Sequence, residues 1–218
     1  MNSVLRIYLI LSFLFLMAGC SKDDLSVDYP TDGLISYFDF ENDMKDVLGS
    51  SEEGMPSGGV QFIDGYKGAC IDFDGISGHA SINMPPFNQQ DAFTVSFWIN
   101  TGDHPVSRYI MHCQYFHIRT LTPIIVFEVW APTLESANWG MFSGVWYHFA
   151  GTYDGDDIKI YMNGELGPTV QHTGQLAEGL VQLTIAQSFS DYWKGSLDEL
   201  FIYNRALNQD EIIQLYNR

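Results

Sequence analysis

Residues 146–164, WYHFAGTYDGDDIKIYMNG, read as two strands with a tight turn after each. The first strand ends at Asp154-Gly155 and the second at Asn163-Gly164, dipeptides that favour the positive φ of short hairpin turns. Ile158, Ile160 and Met162 alternate with polar neighbours, so one face packs on a core and the other is left for water or a ligand. Residues 195–216, GSLDELFIYNRALNQDEIIQLY, add one more strand and a short terminal helix. Asn208 and Glu211 have the spacing of a capping box, and Ile212, Leu215 and Tyr216 form an apolar stripe expected to close the edge of a sandwich.

Five segments, in this order and spacing, resemble the laminin-G-like domains of the concanavalin A-like lectin/glucanase superfamily. They are GLISYFDFENDMKDVLG (33–49), KGACIDFDGISGHASI (67–82), FTVSFWIN (93–100), WYHFAGTYDGDDIKIYMNGEL (146–166) and YWKGSLDELFIYNRALNQDEI (192–212). The resemblance spans roughly residues 33–216. It implies an all-β fold: a two-sheet antiparallel jelly-roll sandwich, one sheet curved, closed by the short C-terminal helix. Many members bind sugars or sit beside catalytic domains, and fold alone does not choose between such functions.

The N-terminus, MNSVLRIYLILSFLFLMAGC, has one early basic residue, an apolar run too short to span a bilayer, and small residues before Cys20. It resembles a bacterial lipobox. Residues 1–19 are then a signal peptide, and Cys20 is the lipidated first residue of a tether, 20–32, ahead of the domain at 33–218. Ordinary cleavage with a free Cys20 is the alternative. Ser21-Lys22-Asp23-Asp24 resembles the acidic tract of Bacteroidetes-type surface lipoproteins. The expected location is the outer membrane, facing out, held by the lipid alone. Export permits a Cys70–Cys113 disulfide, and buried free thiols are the other reading.

The 199 residues left after cleavage suit one sandwich domain, with residues 49–59 as an exposed loop. The full chain carries a formal charge of −17. Such a field repels phosphate backbones and sulfated or uronic polymers, which argues against nucleic acid and for a neutral glycan. Acidity also serves solubility, so charge excludes partners better than it selects them.

Strand parity sorts the 15% of residues that are aromatic, together with their polar neighbours. In FTVSFWIN, Phe93, Val95, Phe97 and Ile99 form the apolar set; in IIVFEVW (124–130), Ile125, Phe127 and Val129 do. Carried through YIMHCQYFHIRT (109–120) and WYHFAG (146–151), the same alternation, if these strands share the curved sheet, gathers Tyr115, His117, Arg119, Glu128, Trp130 and His148 on one outward face. Flat rings cover the C–H face of a sugar, while carboxylate, guanidinium and imidazole groups bond its hydroxyls. Trp98, Trp146 and His148 have a second reading as supports for strands and loops. Trp193 reads as packing, and Tyr192 as a rim residue.

Superfamily glucanases carry paired acids on one strand, and no such E-x-D-x-x-E pattern occurs here. Asp198 and Glu199 are adjacent and so are expected on opposite faces. No G-x-S-x-G elbow or HExxH helix replaces them. The resemblance also implies a structural Ca²⁺ held by Glu41, Asp46 and Asp198, oxygen donors of the right kind. The expected function is non-catalytic carbohydrate binding. An adhesion module for a surface protein is the alternative, and a hydrolase or lyase with atypical residues the third reading.

Overall fold

The computed structural model describes residues 28–86, 91–103, 106–121, 123–176 and 181–218. The signal segment, Cys20 and the tether up to residue 27 lie outside the described residues. The first strands are β1 (Leu34–Phe38), β2 (Met55–Ser57), β3 (Val60–Asp64), β4 (Ala69–Asp74), β5 (His79–Met84) and β6 (Phe93–Thr101). Then come β7 (Arg108–His112), β8 (Phe116–Leu121), β9 (Ile124–Trp130), β10 (Leu134–Gly140), β11 (Trp146–Tyr153) and β12 (Asp157–Met162). The remainder are β13 (Glu165–Gln171), β14 (Val181–Ile185), β15 (Gln187–Ser188), β16 (Asp191–Tyr192), β17 (Lys194–Tyr203) and one helix, α1 (Gln209–Tyr216).

Two antiparallel sheets form a sandwich. The first runs β13-β12-β11-β6-β17-β4-β3, with β1 also on β17; the second runs β10-β9-β8-β7-β14-β5-β2. β17 changes partner along one edge, pairing with β4 over residues 194–197 and with β1 over 200–203. A bulge marks the change: Glu199 has φ 53° and the register to β6 shifts between Asp198 and Phe201. The bulge defeats the expectation that Asp198 and Glu199 point to opposite faces. Both are buried in the layer outside the first sheet, where Glu199 accepts from the Tyr37 hydroxyl and pairs with Arg218, and Asp198 accepts from the Lys67 N–H.

Period-2 patterning holds where strands are regular. Phe93, Val95, Phe97 and Ile99 face Phe116, Ile118, Ile125, Phe127 and Val129 across the core, with Ile158, Ile160 and Met162 beside them. Each such side chain contributes about 1.5–3 kcal/mol by leaving water. The sheets approach closely at Gly151, where a Cβ would stand 2.7 Å from the Phe127 ring. The hairpin after β12 has the expected turn, with Asn163 at φ 52° and Gly164 at φ 78°.

Two expectations change, and one left open between two readings is decided. Residues 28–32, assigned to a tether, pack on the domain: the Tyr29 ring lies 5.2 Å from that of Phe201, and the Tyr203 hydroxyl donates to the Pro30 carbonyl. The C-terminal helix lies across a face, not an edge. Ile212 and Leu215 pack with Tyr37, Ala150, Tyr161, Phe201 and Tyr203, covering the outer side of the first sheet. The capping box that starts the helix is present, with Asn208 Oδ1 accepting from the Glu211 N–H and Glu211 Oε2 from the Asn208 N–H. Cys70 and Cys113 are free and buried, and burial pushes each thiol up to about 12.

Candidate functional site

The outer face of the second sheet carries the site. On β8 the inward Phe116, Ile118 and Thr120 leave His117 and Arg119 facing out, and on β9 the inward Ile125, Phe127 and Val129 leave Glu128 and Trp130 facing out. His117 lies opposite Glu128 in the β8–β9 register, and Arg119 is its diagonal neighbour. Arg119 donates to Glu128 Oε1 from Nε at 3.0 Å and from Nη2 at 2.7 Å, and its Nη1 donates to Ser107 Oγ at 3.1 Å. Glu128 is 5% exposed. Burial works to raise its carboxyl, but His117 and Arg119 outweigh that and hold it below the ordinary carboxylate range. Oε2 stands 3.6 Å from His117 Nδ1, and that nitrogen has no hydrogen-bond partner.

A bulge in β7 enlarges this face. The register shifts between Tyr109 and Met111, so Tyr109 aligns with Arg119 and His112 with His117. Tyr109, His112 and His117 meet edge to face, with ring centroids 5.4–5.9 Å apart. The small β15–β16 hairpin lies beside β7. It is fastened by His112 Nε2, which donates to the Gln187 carbonyl at 2.9 Å, and by Arg108, 3.7 Å from Asp191. Burial keeps His112 below the usual imidazole range, assisted by His117. Between hairpin and sheet is a cavity of about 360 Å³. Tyr109, His117, Arg119 and Glu128 line it together with Ser107, Leu134 of β10, and Ser188, Phe189 and Asp191 of the hairpin.

Of the six residues expected on one surface, the fold brings His117, Arg119 and Glu128 into this cavity. Trp130 shares the face and is 48% exposed, two positions along β9 from Glu128, but does not line the cavity. Tyr115 is fully buried in the core. Parity failed there because residues 113–115 form the turn between β7 and β8, closed by the Cys113 N–H on the Phe116 carbonyl. His148 belongs to the other sheet. It is 2% exposed, hydrogen-bonded through Nε2 to Ser96 Oγ at 2.9 Å, and flanked by Trp98 and Tyr216. Burial drives its imidazole down to about 3. Trp98 stacks on Tyr66 at 3.4 Å, and Trp193 is buried with Nε1 donating to Thr101 Oγ1, both supporting roles.

The three acids expected to hold calcium each accept backbone N–H groups, while Asp198 Oδ1 is buried without a partner. Asp46 accepts four backbone N–H groups, from Tyr37, Leu48, Ser50 and Ser51. Glu41 accepts from the Ala69 N–H, and Asp198 from that of Lys67. Among the described residues, no three His, Cys, Asp or Glu side chains are grouped to hold a metal ion. Sequence reading missed Tyr109, His112 and Phe189. The first two needed the β7 bulge, and only the SFSDYWKG loop hinted at the third.

The sandwich is similar to solved binding domains. Domain 4 of AbnA, an extracellular arabinanase from Geobacillus stearothermophilus solved with arabinotriose, superposes with TM-score 0.70 at 20% identity, covering 84% of this chain and 98% of that one. The binding domain of botulinum neurotoxin DC, solved with rat synaptotagmin II, gives TM-score 0.72 at 17% identity, covering 85% of this chain and 51% of that chain. The binding domain of Paraclostridial Mosquitocidal Protein 1 gives 0.72 at 20% identity, over 85% and 52%. This chain thus spans about half the length of the toxin domains, and at such identities the likeness establishes the fold alone. No curated relative matches the sequence significantly. A Laminin_G_3 model matches residues 74–213, well over half the chain, and the protein belongs to the concanavalin A-like lectin/glucanases superfamily.

Proposed function

We propose that this protein binds a neutral carbohydrate without cleaving it, in the cavity over β7, β8 and β9. The observation that carries this is the Arg119–Glu128 pair, a preformed fork of hydrogen-bonding groups on the floor of an open cavity. Its charges cancel locally, while the chain as a whole, at −17, repels polyanions. Glu128 is a poor proton donor because Arg119 and His117 hold it ionised, whereas glycoside hydrolysis requires a carboxylic acid beside the leaving oxygen. The similar arabinanase domain was solved with a sugar.

A glycan array probed with the full chain tests this, alongside Arg119→Ala. Binding to a neutral glycan that the variant loses supports the reading. Silence across the array, with the protein folded, overturns it and turns the search to a protein partner.

Export and display on the outer membrane through a lipid on Cys20 complete the proposal. Metabolic labelling with a fatty-acid analogue tests that part: label should enter the wild type and be absent from Cys20→Ser.

A further inference from the structure

We infer that Phe189 is the stacking ring of this site. The ligand is then a neutral sugar residue, held by that ring and the Arg119–Glu128 floor; this rests on the carbohydrate-binding reading above. Phe189 lines the cavity, yet its side chain is 98% exposed, an unfavourable place for an apolar ring. Its backbone is unfavourable as well. At φ 55° it occupies the left-handed region, which Gly or Asn adopts readily and a bulky side chain does not. A ring almost fully in water has little packing to reward it, whereas an aromatic at the rim of a polar cavity is available to a sugar's C–H face.

The hairpin that carries the ring is also preorganised. The Gln187 carbonyl accepts from His112, and Gln187 Nε2 reaches the Tyr192 hydroxyl at 3.3 Å, so the hairpin does not have to be ordered when ligand arrives. On the floor, both Arg119 bonds fall on Glu128 Oε1. Oε2 takes no bond from Arg119, and His117 Nδ1, 3.6 Å away, is buried without a hydrogen-bond partner. A sugar hydroxyl that donates to Oε2 gives that acceptor a partner. Arg119 is paired with Glu128 and Arg108 with Asp191, so the cavity favours neither an anionic nor a cationic sugar.

The test uses the full chain on an array of neutral oligosaccharides, with sialylated and uronic ones as charged controls. Calorimetry on the best ligand and thermal melts follow for wild type, Phe189→Asn, Phe189→Trp and Glu128→Gln. Phe189→Asn should weaken binding about tenfold, the scale of one aromatic contact, with the melting temperature unchanged or raised. Phe189→Trp should retain binding. If Phe189→Asn binds as wild type while Glu128→Gln does not, the stacking role is overturned and the site reading stands. If neither variant changes the affinity, or no glycan binds the wild type, both fall. A preference for the charged sugars overturns the assigned ligand class.

Discussion

The two outer faces of this sandwich carry similar alternations of polar and aromatic residues and end in opposite states. Outside the first sheet, His148, Ser96 and Trp98 lie under α1 and the Tyr66 and Tyr216 rings, and His148 is held neutral by burial. Outside the second sheet, His117, Arg119 and Glu128 lie in a cavity open to solvent, with the acid held ionised. An outward polar residue becomes a support where something caps it and a candidate ligand contact where nothing does. The cap is formed by the C-terminal segment together with Tyr66, all distant in sequence from Ser96, Trp98 and His148, so the polar residues' own pattern carries no record of it.

Uncovering the capped face should give the largest effect. Ile212→Ala removes a fully buried side chain from the helix and should cost about 2–4 kcal/mol in denaturant unfolding, with ligand affinity unchanged. A loss below about 1 kcal/mol would mean that the helix is not what buries this face. On the open face, Arg119→Ala should weaken glycan binding by about tenfold to a hundredfold by calorimetry, as expected when a charged hydrogen-bonding group worth about 1.5–3 kcal/mol is lost.

His148 gives the comparison a pH dependence. Its folded pKa, about 3, lies below the unfolded value near 6.5, so its contribution is intact above pH 6.5 and is lost as pH falls from there toward 3. Asp198, pushed up to about 7 chiefly by burial, acts in the opposite sense, which makes the difference between proteins the useful quantity. Going from pH 7.5 to 5, wild type should lose roughly 1–2 kcal/mol relative to His148→Gln. Equal slopes would show that His148 titrates freely and is not sealed. The smallest effect belongs to the cap's own start: Asn208→Ala should cost about 1 kcal/mol, read as a lowered denaturation midpoint.

Much of the fold was legible because hairpin turns and period-2 packing are local properties. Asn163-Gly164, the inward Ile158 and Ile160, and the Asn208–Glu211 box each appear where their chemistry requires. Half of the candidate site was legible for the same reason, since His117, Arg119 and Glu128 sit on regular strands. The failures have identifiable physical causes. Tyr115 was assigned by counting through a turn, and Tyr109 and His112 were hidden by a bulge that adds one residue to the count. The Asp198–Glu199 pair was misread at a second bulge, where Glu199 takes a left-handed backbone. Asp46 has the chemistry of a calcium ligand, yet its carboxylate is occupied by the N–H groups of the loop that follows it and of β1.

By itself the sequence determined which residues can pair, turn and pack, because alternation, turn dipeptides and capping depend on neighbours a few positions away. It also set the charge that disfavours polyanionic partners. Tertiary structure alone decided which face stays open, that His148 and Glu128 lie on different sheets, and that a two-strand hairpin brings Phe189 to the site. Those outcomes depend on strand order and on a helix crossing one sheet, contacts between residues far apart in the chain that no local pattern encodes.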